Sequence, residues 1–326
     1  MALPGLLVDG IVTMTAATPS DGLVKAFDLS AFGMRVMSDI DIAGAQRFSH
    51  HDWPPLAMAA PLHITSAQLP SPARERGPEC WSGQPGSIVY EAPAVVRFEC
   101  TARSINAAIG PTADPDLVMR LLVANALPSV LWLRGAYALH ASAVRLPGIR
   151  KAWAICGPSG SGKSTMARAC LAHGASLLAD DVVSLTISRE GDHAEASSPG
   201  ISGTGLPGGT WRQEGPHRLF QPVQADRQMK ECAMGGVLLI DQTSGCQPPT
   251  LERLGNADAF AALLANRHRP HLPALIGARQ QVFACAVQLA KALPVWRWAR
   301  PRGAVEISGQ QFEQLLALMT KSGNSA

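Results

Sequence analysis

The stretch ICGPSGSGKST, residues 155–165, decides the fold of this 326-residue chain. It contains the pattern G-x-x-x-x-G-K-[ST], which follows an apolar run and opens a helix-forming run. Glycines let the backbone curl so that its N–H groups point at phosphate oxygens, and the N-terminus of the next helix adds partial positive charge. The stretch therefore predicts a phosphate-binding loop (P-loop) between a strand and a helix.

The residues of this loop are the predicted nucleotide contacts. They are Gly157, Pro158, Ser159, Gly160, Ser161, Gly162, Lys163, Ser164 and Thr165. Lys163 would reach the β- and γ-phosphates of ATP, and the Ser164 hydroxyl would hold Mg²⁺. ATP and Mg²⁺ are thus the predicted cofactors. The alternative is an ordinary glycine-rich turn. A P-loop alone does not distinguish enzymes that transfer a phosphoryl group from enzymes that hydrolyse it or from nucleotide sensors.

The runs around the loop predict an α/β unit. KAWAIC (151–156) and ASLLADD (175–181) are typical of buried strands, whereas KSTMARACLAHG (163–174) is typical of a helix. GVLLID (236–241) predicts another strand. In such units ligands bind at the carboxyl ends of the strands.

Four further segments have helical periodicity: DPDLVMRLLVANAL (114–127), NADAFAALLA (256–265), LIGARQQVFACAVQLAKAL (275–293) and GQQFEQLLALM (309–319). Asp114 and Asn256 are the expected N-caps, and Pro115 would occupy the first helical position. The first of these helices would lead from the N-terminal part of the chain into the P-loop part.

The first hundred residues alternate short β-like runs with breaks rich in proline and glycine. GMRVMSDIDI (33–42) and SIVYEAPAVVRFEC (87–100) predict strands. At 326 residues the chain is long enough for two domains. We expect a smaller β-rich N-terminal domain over residues 1–125, with a role in substrate docking, and a P-loop α/β catalytic domain over residues 126–326.

Composition narrows the choice of partners and compartment. The net charge is +3 and only 16% of residues are charged, which does not predict nucleic-acid binding. The seven cysteines are scattered, so neither a disulfide framework nor a zinc site is indicated. There is no basic leader and no run of about 18 apolar residues. We expect a cytoplasmic protein that does not enter a membrane, and a homo-oligomer is left open.

A P-loop enzyme needs an acid to complete its metal site. The candidates are Asp180 with Asp181, and Asp241, and each follows an apolar run. The pair could divide two tasks, because one carboxylate can hold Mg²⁺ while its neighbour accepts the proton of an attacking hydroxyl. The alternative for the pair is a solvated turn, and for Asp241 that alternative is favoured.

His140 lies in LHASAV (139–144), in the run before the loop strand. A single histidine in an apolar stretch is more often packed or capped than catalytic. Its place one strand before the P-loop supports a role in the site, and both interpretations stay open.

Together, ALHASAV, GPSGSGKST and GASLLADDVVSL resemble the catalytic core of the HPr kinase/phosphorylase superfamily over residues 130–190. They are more similar to the shorter relatives of lasso-peptide gene clusters, which phosphorylate a serine hydroxyl of the precursor peptide. The resemblance implies a P-loop core of the HPr kinase and phosphoenolpyruvate carboxykinase type, preceded by a variable domain.

The resemblance also implies roles for individual residues. His140 and Lys163 would lie beside the phosphates, and the double aspartate would supply the base and a metal ligand. Asp180 is assigned as the base and Asp181 as the metal partner of Ser164, and the reverse assignment is the alternative.

Thr165 stands where HPr-directed enzymes usually carry glutamate, and their extended C-terminal signature is not found. This favours the peptide-modifying branch. The implied function is an ATP-dependent kinase that phosphorylates a serine of a lasso precursor peptide, at its C-terminal end. An HPr-type carrier-protein kinase and a nucleotide-sensing module without transfer are the alternatives.

Three other groups of residues have two interpretations each. The glycine-rich segment 197–218 is either a flap, with Trp211, Arg212, His217 or Arg218 touching substrate, or a passive loop. Arg300 and Arg302 either neutralise a phosphate or a peptide carboxylate, or are exposed cations. His268 and His271 have a spacing that a metal could use, but no third ligand is evident.

Overall fold

Two large sheets, a separate two-stranded hairpin and several helices form the fold. The computed structural model describes residues 27–38, 61–66, 79–187, 200–206, 208–214, 217–243, 249–301 and 309–323. Within these ranges the chain is an α/β protein, as expected, and the first sheet is formed entirely by residues before the P-loop.

The first sheet has seven strands in the order β1-β2-β3-β7-β6-β5-β4. Its strands are β1 (Phe27–Ala31), β2 (Met34–Ser38), β3 (Leu62–Ser66), β4 (Cys80–Gln84), β5 (Ser87–Ala92), β6 (Val96–Thr101) and β7 (Ser104–Ile109). In β6, Val96, Phe98 and Cys100 are buried and the residues between them are partly exposed, the alternation of a sheet with one covered face. The strands predicted within 33–42 and 87–100 are confirmed, except that residues 39–42 lie outside the described ranges.

A long helical segment lies between the two sheets. It consists of α1 (Pro115–Leu121), a π-helical turn (Leu122–Ala126) and α2 (Leu127–Leu133). The side chain of Asp114 accepts a hydrogen bond from the Asp116 N–H at 3.0 Å, which confirms the predicted N-cap. Residue 125 lies inside this continuous segment, so the two-domain division at that position stays a prediction.

This segment is also the one helix in the described residues that is long and apolar enough to cross a membrane. It spans 19 residues with a mean hydropathy of 1.4, and 61% of its apolar window is buried inside the protein. Its last part packs against β6 on one side and against the second sheet on the other. Here it is a core helix shared by both sheets.

The second sheet contains the strand that leads into the P-loop. Its strands are β8 (Tyr137–Arg145), β9 (Ala152–Cys156), β10 (Ser176–Ala179), β11 (Val182–Ile187), β12 (Ile201–Gly205), β15 (Glu231–Thr243), β16 (Thr250–Arg253) and β17 (Val295–Pro301). Between β12 and β15, β13 (Gly209–Glu214) and β14 (His217–Pro222) form a separate two-stranded hairpin. The neighbours β9, β15 and β17 are parallel, which brings their carboxyl ends to one edge. The pairings β8–β11, β11–β12, β12–β15, β15–β9 and β9–β8 close a ring.

The remaining helices are α3 (Lys163–Ala172), α4 (Asn256–Ala265), α5 (Leu272–Leu275), α6 (Arg279–Ala292) and α7 (Gly309–Gly323). The helix predicted over 275–293 begins only at Arg279, because Gly277 has a φ of +72° and interrupts the helical backbone after α5. Asn256 is not the N-cap of α4. Gly255 holds that position, and no side chain caps the helix.

The second sheet is covered by apolar side chains on both faces. One face joins the core that also includes the first sheet, the helical segment 115–133, α4 and α6. The other face, with Trp153 and Ile155 of β9, packs against α3 and α7. Burial on both faces explains why β9 reads as a continuous apolar run without alternation.

The sequence suggested that the glycine-rich segment 197–218 is a loop without regular structure. The structure shows strands there instead. The segment's described residues form β12 and the hairpin β13–β14, and β13 packs against α3. The glycines at 203 and 205 are strand residues rather than loop residues, which concealed β12 in the sequence. The side chains of Trp211, Arg212, His217 and Arg218 lie outside what the structure describes.

Gly205 allows β12 to approach β10 closely, and its replacement tests this packing. A Cβ atom at Gly205 would collide with the Ala179 side chain and would lie 2.5 Å from the Leu178 carbonyl oxygen. We expect Gly205→Ala to lower the free energy of unfolding by about 1–3 kcal/mol, because neither neighbour is a flexible side-chain end. Urea denaturation measures the change. Gly309→Ala is the control, since a Cβ there meets no atom within 4 Å, and equal stability of the two variants would contradict this packing.

Candidate functional site

The P-loop connects the carboxyl end of β9 to the N-terminus of α3, so the strand and helix predicted around it are confirmed. Gly157 is buried with a φ of +145°, and a Cβ there would lie 2.5 Å from the carbonyl oxygen of Ile240 on β15. Gly162 is left-handed, with a φ of +102°, at the N-cap of α3. Side chains larger than glycine would disturb the loop at both places.

Lys163 folds back over the loop. Its side chain is buried, and its Nζ donates to the carbonyl oxygens of Gly157 at 2.8 Å and Pro158 at 3.1 Å. From β15, the Gln242 amide donates to the Gly160 carbonyl at 3.3 Å. The loop is therefore held from two sides, with a cation beside its first carbonyl groups.

The two aspartates lie between β10 and β11, in line with both strands. Ala179 is opposite Ala143 of β8 and Val182 is opposite His140, which places Asp180 opposite Ser142 and Asp181 opposite Ala141. In an extended pair the side chain of Asp181 would point away from the face that Asp180 shares with Ser142.

A kink at Asp181 changes this arrangement. Asp181 has a φ of +92°, a left-handed value that is costly for a residue with a side chain. The kinked backbone brings its carboxylate within 3.5 Å of His140 Nδ1. The bend after the end of β10 therefore places Asp181 beside His140, while Asp180 contacts Ser142 and Ser164.

Asp180 is the acid that contacts the P-loop. Its Oδ1 accepts hydrogen bonds from the Ser142 hydroxyl and, at 2.9 Å, from the Ser164 hydroxyl. The sequence assigned Ser164 and Asp181 as the metal-binding pair, but the structure brings Ser164 together with Asp180 instead. The contacts favour the reverse assignment of the two acids.

His140 is held by Asp181. Its Nδ1 lies 2.9 Å from the Asp181 carbonyl oxygen, which can only accept, so Nδ1 carries a proton. About a third of the side chain is exposed (35%), so His140 is not packed within the core.

Asp241 belongs to a different set of charges. Its carboxylate lies 4.0 Å from Arg297 Nε, and Arg297 also pairs with Glu252 at 2.9 Å. About half of its side chain is exposed (49%). These contacts agree with the solvated alternative that the sequence favoured.

His268 and His271 point to different neighbours. The His268 ring lies 6.2 Å from the His140 ring, whereas the His271 ring lies 5.9 Å from Trp81. Across the described ranges no cluster of three histidine, cysteine, aspartate or glutamate residues could hold a metal ion.

Arg300 is not an exposed cation. It is buried, its guanidinium lies 5.1 Å from the Trp298 ring centre, and burial lowers the pKa of the group. It follows Trp298 on β17 and is opposite Gln242, the residue that contacts the P-loop. Arg302 lies outside the described residues.

Two residues in or beside the site were missed by sequence reasoning, and a third, His268, was considered only as a metal ligand. Ser142 and Asn266 make hydrogen bonds to site residues, and His268 is buried beside His140. For Ser142 a signal was present, because residues two apart on a strand share a face and His140 was already a candidate. For Asn266 and His268 the sequence offers no local signal, since their contacts cross more than a hundred residues.

The environment of His268 keeps its ring neutral. The residue is 6% exposed, and within the described structure its Nε2 has no hydrogen-bond partner. Burial lowers the pKa of His268 to about 4. Electrostatic interactions with Arg269 and with His140 also lower this pKa. The carboxylate of Asp181 acts in the opposite direction without restoring the ordinary value.

Comparisons with known proteins add little to this geometry. No family model matches the chain, and no curated protein matches it. Among solved structures it is similar to the HPr(Ser) kinase/phosphatase from Coxiella burnetii, with 12% sequence identity and a TM-score of 0.32, over 56% of this chain and 98% of that chain. A likeness this low shows neither fold nor activity, so the family stays a prediction.

Burial of His268 predicts a loss of stability in mild acid. Above pH 6.5 the ring is neutral in both the folded and unfolded states, so it has no effect. As the pH falls from 6.5 toward 4, the unfolded state binds a proton that the folded state excludes, and the free energy of unfolding decreases. We expect His268→Gln to lose less stability over this range than the natural chain. Urea denaturation at several pH values measures both slopes, and parallel slopes would contradict the prediction.

Proposed function

We propose that this chain is an ATP- and Mg²⁺-dependent kinase that transfers the γ-phosphoryl group of ATP to a serine hydroxyl. The observation that carries the proposal is the convergence of three segments on one face. Ser164 of the P-loop bonds to Asp180, and Asp181 beside it contacts His140. A P-loop with a second carboxylate next to its metal-binding acid suits transfer to an alcohol, since the hydroxyl must lose a proton.

The oxygen atoms at the P-loop fit a magnesium ion. The Ser164 hydroxyl and the Asp180 carboxylate lie 2.9 Å apart, and both are the hard oxygen ligands that Mg²⁺ prefers. Mg²⁺ usually takes one or two protein ligands and completes its shell with phosphate oxygens and water. We assign Ser164 and Asp180 to the ion, which when bound neutralises charge on the phosphate oxygens.

Asp181 is then assigned as the general base. Its carboxylate accepts the proton of the attacking serine hydroxyl while a bond forms between the serine oxygen and the γ-phosphorus. The bond from that phosphorus to the bridging oxygen of ADP breaks, and ADP leaves with the electron pair. His140, whose Nδ1–H contacts the Asp181 carbonyl, orients this acid.

Lys163 supplies positive charge where it is needed. Its Nζ lies beside the first carbonyl groups of the loop, within reach of the place where β- and γ-phosphates would bind. Burial of the side chain strengthens its interaction with a phosphate, because little water screens it. In the transition state this charge would stabilise the transferring group.

For the acceptor we propose a serine of a ribosomally made lasso precursor peptide, at its C-terminal end, in the cytoplasm. The support is the sequence resemblance, with Thr165 in place of the glutamate of HPr-directed enzymes. In the structure Thr165 accepts a hydrogen bond from Arg168 at 3.2 Å, within α3. The same resemblance supports a core of the HPr kinase type and a docking role for the first sheet.

The acceptor can be tested directly. The full chain is incubated with γ-labelled ATP and Mg²⁺, together with either serine-containing lasso precursor peptides or HPr. Label on a precursor peptide, lost when its terminal serine is changed to alanine, supports the proposal. Label on HPr alone would replace the peptide with a carrier protein, and tight ATP binding without label on either would indicate a sensor.

Substitution of the acids tests the division of roles. We expect Asp181→Asn to lower phosphoryl transfer by about 10²–10⁴-fold while ATP still binds, because only the proton acceptor is lost. We expect Asp180→Asn to weaken binding of Mg²⁺–ATP more than binding of ATP without metal. Transfer rates and calorimetric titrations provide the measurements.

Asp241→Asn is the matched control for both variants, because this acid also follows an apolar run but pairs with Arg297. Its transfer rate should stay within about twofold of the natural chain. Full transfer activity in both Asp180→Asn and Asp181→Asn would show that the assigned site is wrong.

A further inference from the structure

Asn266 connects two parts of the proposed site that are far apart in sequence. It is the C-cap of α4, with a φ of −98°. Its side-chain Oδ1 accepts a hydrogen bond from the Gly157 N–H at 3.0 Å, and its backbone carbonyl accepts from the His140 N–H at 2.7 Å. One residue therefore contacts both the first glycine of the P-loop and the strand that carries His140.

The bond to Gly157 satisfies a group that has little access to water. Gly157 is buried, and an unpaired buried N–H costs free energy. The partner comes from a residue 109 positions later in the chain. The position of the Gly157 backbone in the P-loop therefore depends on a side chain outside the P-loop motif.

The orientation of this side chain is determined by α4. The Asn266 Nδ2 donates to the Ala262 carbonyl at 2.8 Å, one of the carbonyl groups near the end of the helix. With the NH₂ group engaged there, the amide oxygen is directed to Gly157. A carboxylate would repel the Ala262 carbonyl and would also be unfavourable at a helix C-terminus.

The backbone after Asn266 is also attached to the His140 strand. Arg267 forms a bridge with Leu139, and the His268 N–H donates to the Ala138 carbonyl at 2.9 Å. The Trp132 indole donates to the His268 carbonyl at 3.1 Å. These bonds fix the position of Asn266 independently of its side chain, which leaves the side chain to act on the P-loop.

We propose that Asn266 is a positioning residue for nucleotide binding: its side-chain amide holds the Gly157 N–H and so sets the P-loop for the phosphates. This inference rests on the proposed nucleotide-binding function. It separates the side chain, which acts on the loop, from the backbone carbonyl, which acts on His140.

Asn266→Ala tests the proposal, with Asn256→Ala at the exposed first residue of the same helix as the matched control. Calorimetric titration with Mg²⁺ and a non-hydrolysable ATP analogue should show about tenfold weaker binding for Asn266→Ala, because one hydrogen bond to a buried amide is lost. Asn256→Ala should bind like the natural chain. At saturating ATP, the rate of transfer for Asn266→Ala should stay within about twofold, since the carbonyl that holds His140 is unchanged.

Asn266→Asp provides a second, pH-dependent readout. A protonated aspartate has the shape of asparagine, with one oxygen that accepts and one hydroxyl that donates, so it can make both side-chain bonds. We expect the affinity of Asn266→Asp for the analogue, divided by that of the natural chain, to rise as the pH falls from 8 to 5.5. A structural role alone would not produce this recovery at low pH.

The outcomes are distinguishable. If the natural chain binds no ATP analogue, the proposed function fails and this inference fails with it. If the natural chain binds and Asn266→Ala binds equally well, only the inference is overturned. If Asn266→Ala does not fold, the Asn266→Asp measurement decides: a ratio that rises toward low pH supports the role, and a flat ratio overturns it.

Discussion

The site depends on the backbone pairing of β8 with β10 and β11, which follow one another along the same edge of β8. This pairing places Asp180 opposite Ser142, and the kink at Asp181 turns the second carboxylate to the same face. The strain is maintained because the Asp181 carbonyl accepts from two donors, the Ala141 N–H and the His140 ring. Without the kink, the two acids would lie on opposite faces of the sheet.

The remaining contacts of the site come from segments brought together by the second sheet. β9 delivers the P-loop, β15 supports it through Ile240 and Gln242, and the segment after α4 supplies Asn266. Each contact is a hydrogen bond or a close approach to backbone. The geometry of the candidate site is therefore set largely by main-chain positions, and the side chains of Ser164, Asp180 and Asp181 lie within it.

Sequence reasoning identified the elements whose signal is local. The P-loop flanks, the Asp114 cap and most helices and strands follow from patterns within about ten residues. It missed what tertiary structure decides: β12 carries glycine at 203 and 205 because of its closeness to β10 and β15. The contact of Asp181 with His140 depends on one left-handed φ, which no local pattern shows. The contacts of Asn266 and His268 cross the chain and leave no periodic trace in the sequence.

The ring of strands has a consequence for how the chain acquires its structure during synthesis. β15 pairs with both β12 and β9, so the ring closes only when residues 231–243 are available, long after the P-loop has been made. Such pairings between distant residues form slowly, because the chain loses much conformational entropy before the contacts between the strands contribute favourable free energy. On the ribosome, the nascent P-loop would therefore remain without its supporting strand until most of the protein had emerged.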